Sequence, residues 1–269
     1  MLIQSLLVIQ QTVLYYSPMI CAHLNELFAS IQGEGPRIGE RHIFVRFQGC
    51  DLQCCYCDTP AAIPPHEASG LEGFNVQVTP GSSGQFVRIP NPVSVHRLTE
   101  LCSGLIIPGP SRSTISLTGG EPLLQLEFLA AWLPDVKKKF RIYLESNGIH
   151  ATAMEALSHL VDIVSMDFKL PSATGLRPFW EEHERFLAAA ARTDLFVKAV
   201  VTRFTQQDDI VASAHLLAGH ISATPLVLQP ASGALAPSAT QLIDFQNIAL
   251  GIIGDVRVIP QAHKILDLP

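Results

Sequence analysis

The sequence predicts an α/β fold: a partial or full barrel of parallel strands, each followed by a helix. Short β-branched runs alternate with longer helical runs from Thr114 to Ile259, the pattern of successive βα units. Polar residues cluster at or just beyond the C-terminal ends of those strands, the face from which (β/α) barrels build their sites. The chain has 269 residues, 48% hydrophobic and 16% charged, enough for one α/β core.

The elements follow in order. Residues 1–18 read as an extension outside the fold, with Met19 the expected start and 19–269 a single domain. Leu6-Leu7-Val8-Ile9 is apolar, but Gln4, Ser5, Gln10 and Gln11 interrupt it, so it is too short for a span and lacks the basic flank of a signal peptide. A mixed run over 25–31 ends at Gln32-Gly33-Glu34-Gly35-Pro36, where glycines and proline force a turn. From pattern alone, Gln32 and Glu34 sit on a solvent-facing hairpin tip. Residues 43–47 form a strand that carries Arg46 into a cysteine loop. Residues 60–92 are an insertion broken by prolines and glycines, with a hairpin of 74–79 against 85–89. Ser94 caps a helix to residue 102.

Regular alternation then begins. Strands are predicted over 114–117, 141–144, 162–168, 195–201, 226–228 and 256–259. Helices are predicted over 123–140, 151–160, 178–192, 207–217 and 238–250. Lys137-Lys138-Lys139 is the only basic run and reads as a solvated helix end. With a net charge of −6, a nucleic-acid partner is not expected, nor is a membrane.

Four of the six cysteines fall within Cys50–Cys57. That is no disulfide framework, and it fits a reducing, cytoplasmic setting. Cys50, Cys54 and Cys57 have the spacing C-x3-C-x2-C, with Cys55 a spare thiol. Three thiolates on one loop suit an iron–sulfur cluster with an open iron. A zinc knob stays open on spacing alone, although His42 and His66 match no usual zinc pattern. Gly119-Gly120-Glu121 and Glu145-Ser146-Asn147-Gly148 could each be a plain capping turn. Together with Lys169 and Gln229 they are harder to read as caps.

C-x3-C-x2-C with Tyr56 before its last cysteine, plus Gly119-Gly120-Glu121-Pro122, resembles the radical S-adenosylmethionine (SAM) superfamily. Ser30-Ile31-Gln32-Gly33-Glu34-Gly35, Cys57-Asp58-Thr59 and Val258-Ile259-Pro260-Gln261-Ala262-His263-Lys264 further resemble the 7-carboxy-7-deazaguanine synthase family. The resemblance runs from about Asn25 to Pro269, interrupted by the insertion. It implies a partial barrel of the radical SAM type. The implied reaction converts 6-carboxy-5,6,7,8-tetrahydropterin to 7-carboxy-7-deazaguanine with loss of ammonia, in queuosine-type deazapurine biosynthesis.

The resemblance also implies site roles. Cys50, Cys54 and Cys57 hold a [4Fe–4S] cluster, and Thr59 helps hold Mg2+. Ile31, Gln32, Gly33, Glu34, Arg46, Thr118, His263 and the terminal Pro269 meet the pterin. Arg46 faces its carboxylate, as suits a planar guanidinium. For His263 a packed or solvent-facing role stays open. Gly120, Glu121, Ser165, Lys169, Gln229, Pro230, Ala231 and Ser232 contact SAM. An electron donor such as flavodoxin or ferredoxin, and a homodimer, are also implied. Cys55 is expected to be a bystander. Two other classes share parts of the pattern: an activase that makes a glycyl radical on a partner protein, and a non-enzymatic iron–sulfur or zinc module. The activase would have no use for Gln32-Gly33-Glu34 or Pro269, and the module predicts no cleavage of SAM.

Overall fold

Parallel strands covered on both faces read as nearly continuous apolar runs, and the central strands here are of that kind. In the computed structural model, which describes residues 20–57, 72–80, 85–220 and 224–268, the first strands are β1 (Cys21–Ala22), β2 (Leu24–Ile31) and β3 (Arg41–Phe47). They are followed by β4 (Gly73–Gln77), β5 (Phe86–Pro90), β6 (Val93–Ser94) and helix α1 (Val95–Gly104). The alternating part comprises β7 (Thr114–Gly119), α2 (Leu126–Val136), β8 (Arg141–Ser146), α3 (Ala151–Leu157) and β9 (Ile163–Phe168). It continues through α4 (Pro171–Thr174), α5 (Trp180–Ala190), β10 (Asp194–Val201), α6 (Gln207–His220) and β11 (Leu226–Pro230). The chain closes with α7 (Ala239–Leu250), β12 (Val256–Val258) and α8 (Ala262–Ile265). Among the described residues no helix is long and apolar enough to cross a membrane.

The main sheet has the order β12-β11-β10-β9-β8-β7-β3-β2-β4-β5. The run from β3 to β12 is parallel throughout. At β2 the direction reverses, and β4 and β5 extend that side. With β12 and β5 as separate edges, the barrel is partial. The expected 74–79/85–89 hairpin is present as β4 and β5, and it continues the main sheet. The expected strands and helices are present with shifted ends. The helix predicted over 123–140 is shorter: Pro122–Gln125 is a 3-10 turn, because the Glu121 carboxylate takes the Leu123 N–H at 3.1 Å. α4, α8 and the β1–β6 pair were not expected. Ser94 caps α1 through Arg97 N. The three-lysine run lies on the turn after α2, where Lys138 pairs with Asp135 and Lys137 reaches the His159 carbonyl.

Strand alternation divides the sheet into two worlds. Ile142, Leu144, Val164, Met166, Val197 and Ala199 pack toward the helices in the main core. Their neighbours Tyr143, Ile163, Phe196 and Val227 form a second apolar layer inside the curve of the sheet. Beyond that layer the same inner face turns polar: Glu145, Ser165, Asp167, Lys198 and Gln229 all line one cavity. The loop after β2 crosses this inner face toward β10. Gly35 has φ +63, and a Cβ there would run into the Phe196 ring; Arg37 pairs with Asp194 at the start of β10.

Leu144 is fully buried in the main core, whereas Ile243 is 57% exposed on α7. Leu144→Ala should cost about 2–5 kcal/mol of unfolding free energy, and Ile243→Ala less than about 0.5 kcal/mol, as measured by urea titration.

Candidate active site

The strand ends build one cavity of about 730 Å³. One wall is the cysteine loop after β3, which contributes Cys50, Cys54, Tyr56 and Cys57. Cys55 is not on that wall. Its Sγ donates to the Ala173 carbonyl at 2.9 Å and its N–H to Thr174 O at 3.1 Å. The geometry thus sorts the four thiols three to one. Burial pushes the Cys50 thiol up to about 11 and raises Cys54 as well, a cost that a bound metal cation would offset.

The Gly119-Gly120 turn presses on the base of this loop. Gly120 N donates to Phe47 O at 3.0 Å, and Glu121 N to Gly49 O at 2.8 Å. A Cβ on Gly120 would strike the Gly49 carbonyl, and Gly119 has φ +115 with Phe47 backbone against it. Only glycine permits that approach. Glu121 is fully buried and absent from the cavity wall. Its Oε1 accepts from Ser146 Oγ (3.0 Å) and Leu123 N, and its Oε2 from Asn147 N (2.7 Å). The carboxylate that the resemblance assigns to SAM ties β7 to the turn after β8. Asn147 also donates to Asp51 in the cysteine loop at 3.3 Å.

On the opposite side stands the loop after β2. Pattern alone put Gln32 and Glu34 in solvent; the fold turns them inward. Gln32 is 2% exposed. Its Nε2 donates to Glu145 Oε1 at 3.1 Å, and its Oε1 accepts from Glu34 N at 3.0 Å. Glu34 accepts from Lys198 Nζ at 2.5 Å and Gln261 Nε2 at 2.7 Å. Burial alone would raise its pKa, but the Lys198 charge and these donors hold it at about 2. Glu145 also accepts from Thr118 Oγ1 at 2.8 Å; burial, then the Glu34 charge, raise its pKa. Gly33 is not on the wall. Its carbonyl accepts from Ala262 N at 2.9 Å, and a Cβ there would strike His263. This close contact brings His263 to the cavity.

Ile31 and Arg46 line the same cavity. Arg46 Nε lies 3.2 Å from Glu26, and its guanidinium sits 5.7 Å from the Phe28 ring centre. Phe28 stacks on Phe44 at 5.2 Å, giving a flat apolar panel. Ser165, Lys169 and Gln229 meet the cavity from β9 and β11, followed by Pro230, Ala231 and Ser232. Lys169 Nζ lies 3.0 Å from Asp167 and 5.6 Å from the Tyr56 ring centre; burial opposes its charge, but Asp167 outweighs it and the pKa rises. Thr59 and Pro269 lie outside the described residues, as do residues 1–18 and 60–71.

The profile of the radical SAM superfamily matches residues 44–205. The 7-carboxy-7-deazaguanine synthase of Geobacter sulfurreducens is 39% identical over 249 residues, 91% of this chain and 97% of that enzyme. The chain belongs to the 7-carboxy-7-deazaguanine synthase family of radical SAM enzymes. The family's enzyme from Thermococcus kodakarensis is 35% identical over 261 residues, covering 91% of this chain and 98% of the relative. The crystal structure of QueE from Escherichia coli shares the fold, with a TM-score of 0.55 at 21% identity over 90% of this chain and 94% of that one. Family membership sets aside the zinc knob, the binding module and the activase. It implies a [4Fe–4S] cluster and SAM, and three thiols beside a glycine cradle fit such a cluster.

Sequence reasoning missed Glu145, Asp167, Lys198 and Gln261 as site residues. Asp167 and Lys198 had a signal: each is a lone charge inside a strand that is otherwise almost wholly apolar. Such a residue must face a partner inside.

Gly120→Ala should displace the cysteine loop and lower iron and sulfide content after anaerobic reconstitution. Cys55→Ala should keep wild-type iron content, whereas Ala at Cys50, Cys54 or Cys57 should not.

Proposed function

We propose that the chain converts 6-carboxy-5,6,7,8-tetrahydropterin to 7-carboxy-7-deazaguanine with loss of ammonia; the product is the one in the name its relatives carry, 7-carboxy-7-deazaguanine synthase. The observation that carries this is the convergence of the cysteine loop and the Gln32–Glu34 loop on a single cavity. A cluster-binding wall alone would suit any radical SAM enzyme. The second wall supplies what a carboxylated pterin needs.

Cys50, Cys54 and Cys57 would hold the cluster, with SAM against Gly120, Ser165, Lys169 and Gln229–Ser232. When bound, this pair supplies one-electron reductive cleavage of SAM and hence a carbon radical able to take a hydrogen atom from substrate. The protein's own residues bind and orient. The Phe28–Phe44 panel offers a face for a flat heterocycle. Gln32, Glu34 and Glu145 offer hydrogen-bonding groups for its N–H and carbonyl edges. Arg46 supplies a cation for the substrate carboxylate, its charge only partly offset by Glu26 at 38% exposure. Thr118 and His263 complete that wall. Asp167 holds the Lys169 ammonium in place for an anionic group of SAM.

Glu121 enters this reading through other groups: it fixes the Ser146-Asn147 turn and thereby the cofactor side of the cavity. Thr59 would join a Mg2+ ion, which prefers hard oxygen ligands, and the Pro269 carboxylate would close the substrate side. A flavodoxin or ferredoxin as electron donor, a homodimer and a cytoplasmic location belong to the same proposal.

The test is anaerobic turnover with reductant, SAM, Mg2+ and the pterin, followed by mass spectrometry. The product 7-carboxy-7-deazaguanine is expected; deoxyadenosine without it would overturn the substrate. Arg46→Ala should lose far more turnover with pterin than SAM cleavage without it, and equal losses would count against a carboxylate contact.

A further inference from the structure

Lys198 has no part in the family motifs, yet it occupies the centre of the cavity's charge pattern. It stands on β10, 8% exposed, in the run Leu195-Phe196-Val197-Lys198-Ala199-Val200-Val201. Period-two alternation turns it to the inner face, beside Asp167 of β9 in register. Its Nζ lies 2.5 Å from Glu34 Oε2 and 3.7 Å from Asp167 Oδ2. Glu34 reaches it from the other side of the curved sheet, on a loop that leaves β2. Gln261, from the C-terminal segment, holds the second carboxylate oxygen.

We propose that Lys198 is a positioning residue: it fixes the Glu34 carboxylate on the inner face of β10 and so sets where the Gln32–Glu34 loop meets the ligand. The inference rests on the substrate reading above only for the identity of that ligand.

Three points carry it. A buried ion pair is a poor device for stability alone, since well-packed apolar side chains do as well or better. Here, then, the pair is retained for what a carboxylate can do, because each Glu34 oxygen keeps a lone pair beyond its single donor. The groups that face Glu34 also make Lys198 decisive. Glu145 approaches from β8 and Asp167 from β9, both acidic. Lys169 is on the far side of Asp167, paired at 3.0 Å, and His263 approaches from α8. Lys198 is the ammonium in direct contact. Finally, the loop has few other ties to β10: Gly35 against Phe196 and Arg37 to Asp194.

The sign of the pH effect follows. With Lys198 present, the Glu34 pKa is lowered to about 2, so its stabilising contribution is complete above the ordinary carboxylate range and constant from pH 5 to 8. Without Lys198, burial, the largest influence on Glu34, is opposed only by the Gln261 hydrogen bond and the His263 charge, and the Glu34 pKa is expected to rise above its unfolded value. The folded form then prefers the proton, and stability falls as pH rises through that window.

The experiment compares anaerobic, cluster-loaded wild type, Lys198→Met, Lys198→Arg and Lys198→Met/Glu34→Gln by thermal unfolding from pH 5 to 8. The Tm gap between Lys198→Met and wild type should widen with pH by roughly 3 °C for each unit of Glu34 shift. Lys198→Arg, which keeps the charge, should leave the gap flat, and Glu34→Gln should flatten it in the double variant. Calorimetry at pH 7.5 should show pterin binding to Lys198→Met weakened about tenfold or more. A gap independent of pH, or one unchanged by Glu34→Gln, overturns the proposal. If wild type binds no pterin but the gap widens, the Lys198 role stands and the substrate reading falls.

Discussion

A sheet of parallel strands exposes its inner face unless something fills the curve, and here the filling decides the site. Four side chains, Tyr143, Ile163, Phe196 and Val227, make a dry floor. Above them the inner positions become charged or hydrogen-bonding. Burial makes each of those groups costly alone, so they answer one another: Glu34 with Lys198, Lys169 with Asp167, Glu145 with Gln32 and Thr118.

That constraint explains why distant segments meet. The loop after β2 crosses the open side of the partial barrel because Glu34 and Arg37 both find partners on β10. The C-terminal segment follows it, with Ala262 N on Gly33 O and Gln261 on Glu34. Gly33 and Gly35 are small because His263 and Phe196 stand against them. On the other side, Gly119 and Gly120 let β7 approach the cysteine loop, while Glu121 and Asn147 bind that junction to β8.

The two sides have different chemistry. Thiols, Tyr56 and Lys169 belong to one; carboxylates, Gln32 and the Phe28–Phe44 stack belong to the other. Asp167 and Lys198 stand between, in adjacent strands at the same level. A radical enzyme has to hold two ligands in fixed relation, and this row of alternating charges gives the cavity a rigid spine between them.

Much was legible in the residues alone. Alternating strands and helices, the cysteine spacing and the glycine turn are local patterns, and each depends on near neighbours in the chain. The β-hairpin of the insertion and the cap at Ser94 were legible for the same reason. Other features required the fold. Gln32 and Glu34 have the composition of an exposed turn; only their partners on β8 and β10, more than a hundred residues away, show that they are buried. Glu121 has the sequence position of a ligand-binding carboxylate, but only the fold shows it fully buried off the cavity wall and tied to Leu123 N, Asn147 N and Ser146 Oγ. Cys55 differs from its three neighbours through the accident of where α4 places two carbonyls. The sequence by itself determined which residue types stand at which strand ends. Tertiary structure decided which of them face the cavity, because burial and charge pairing act between segments that the chain order keeps apart.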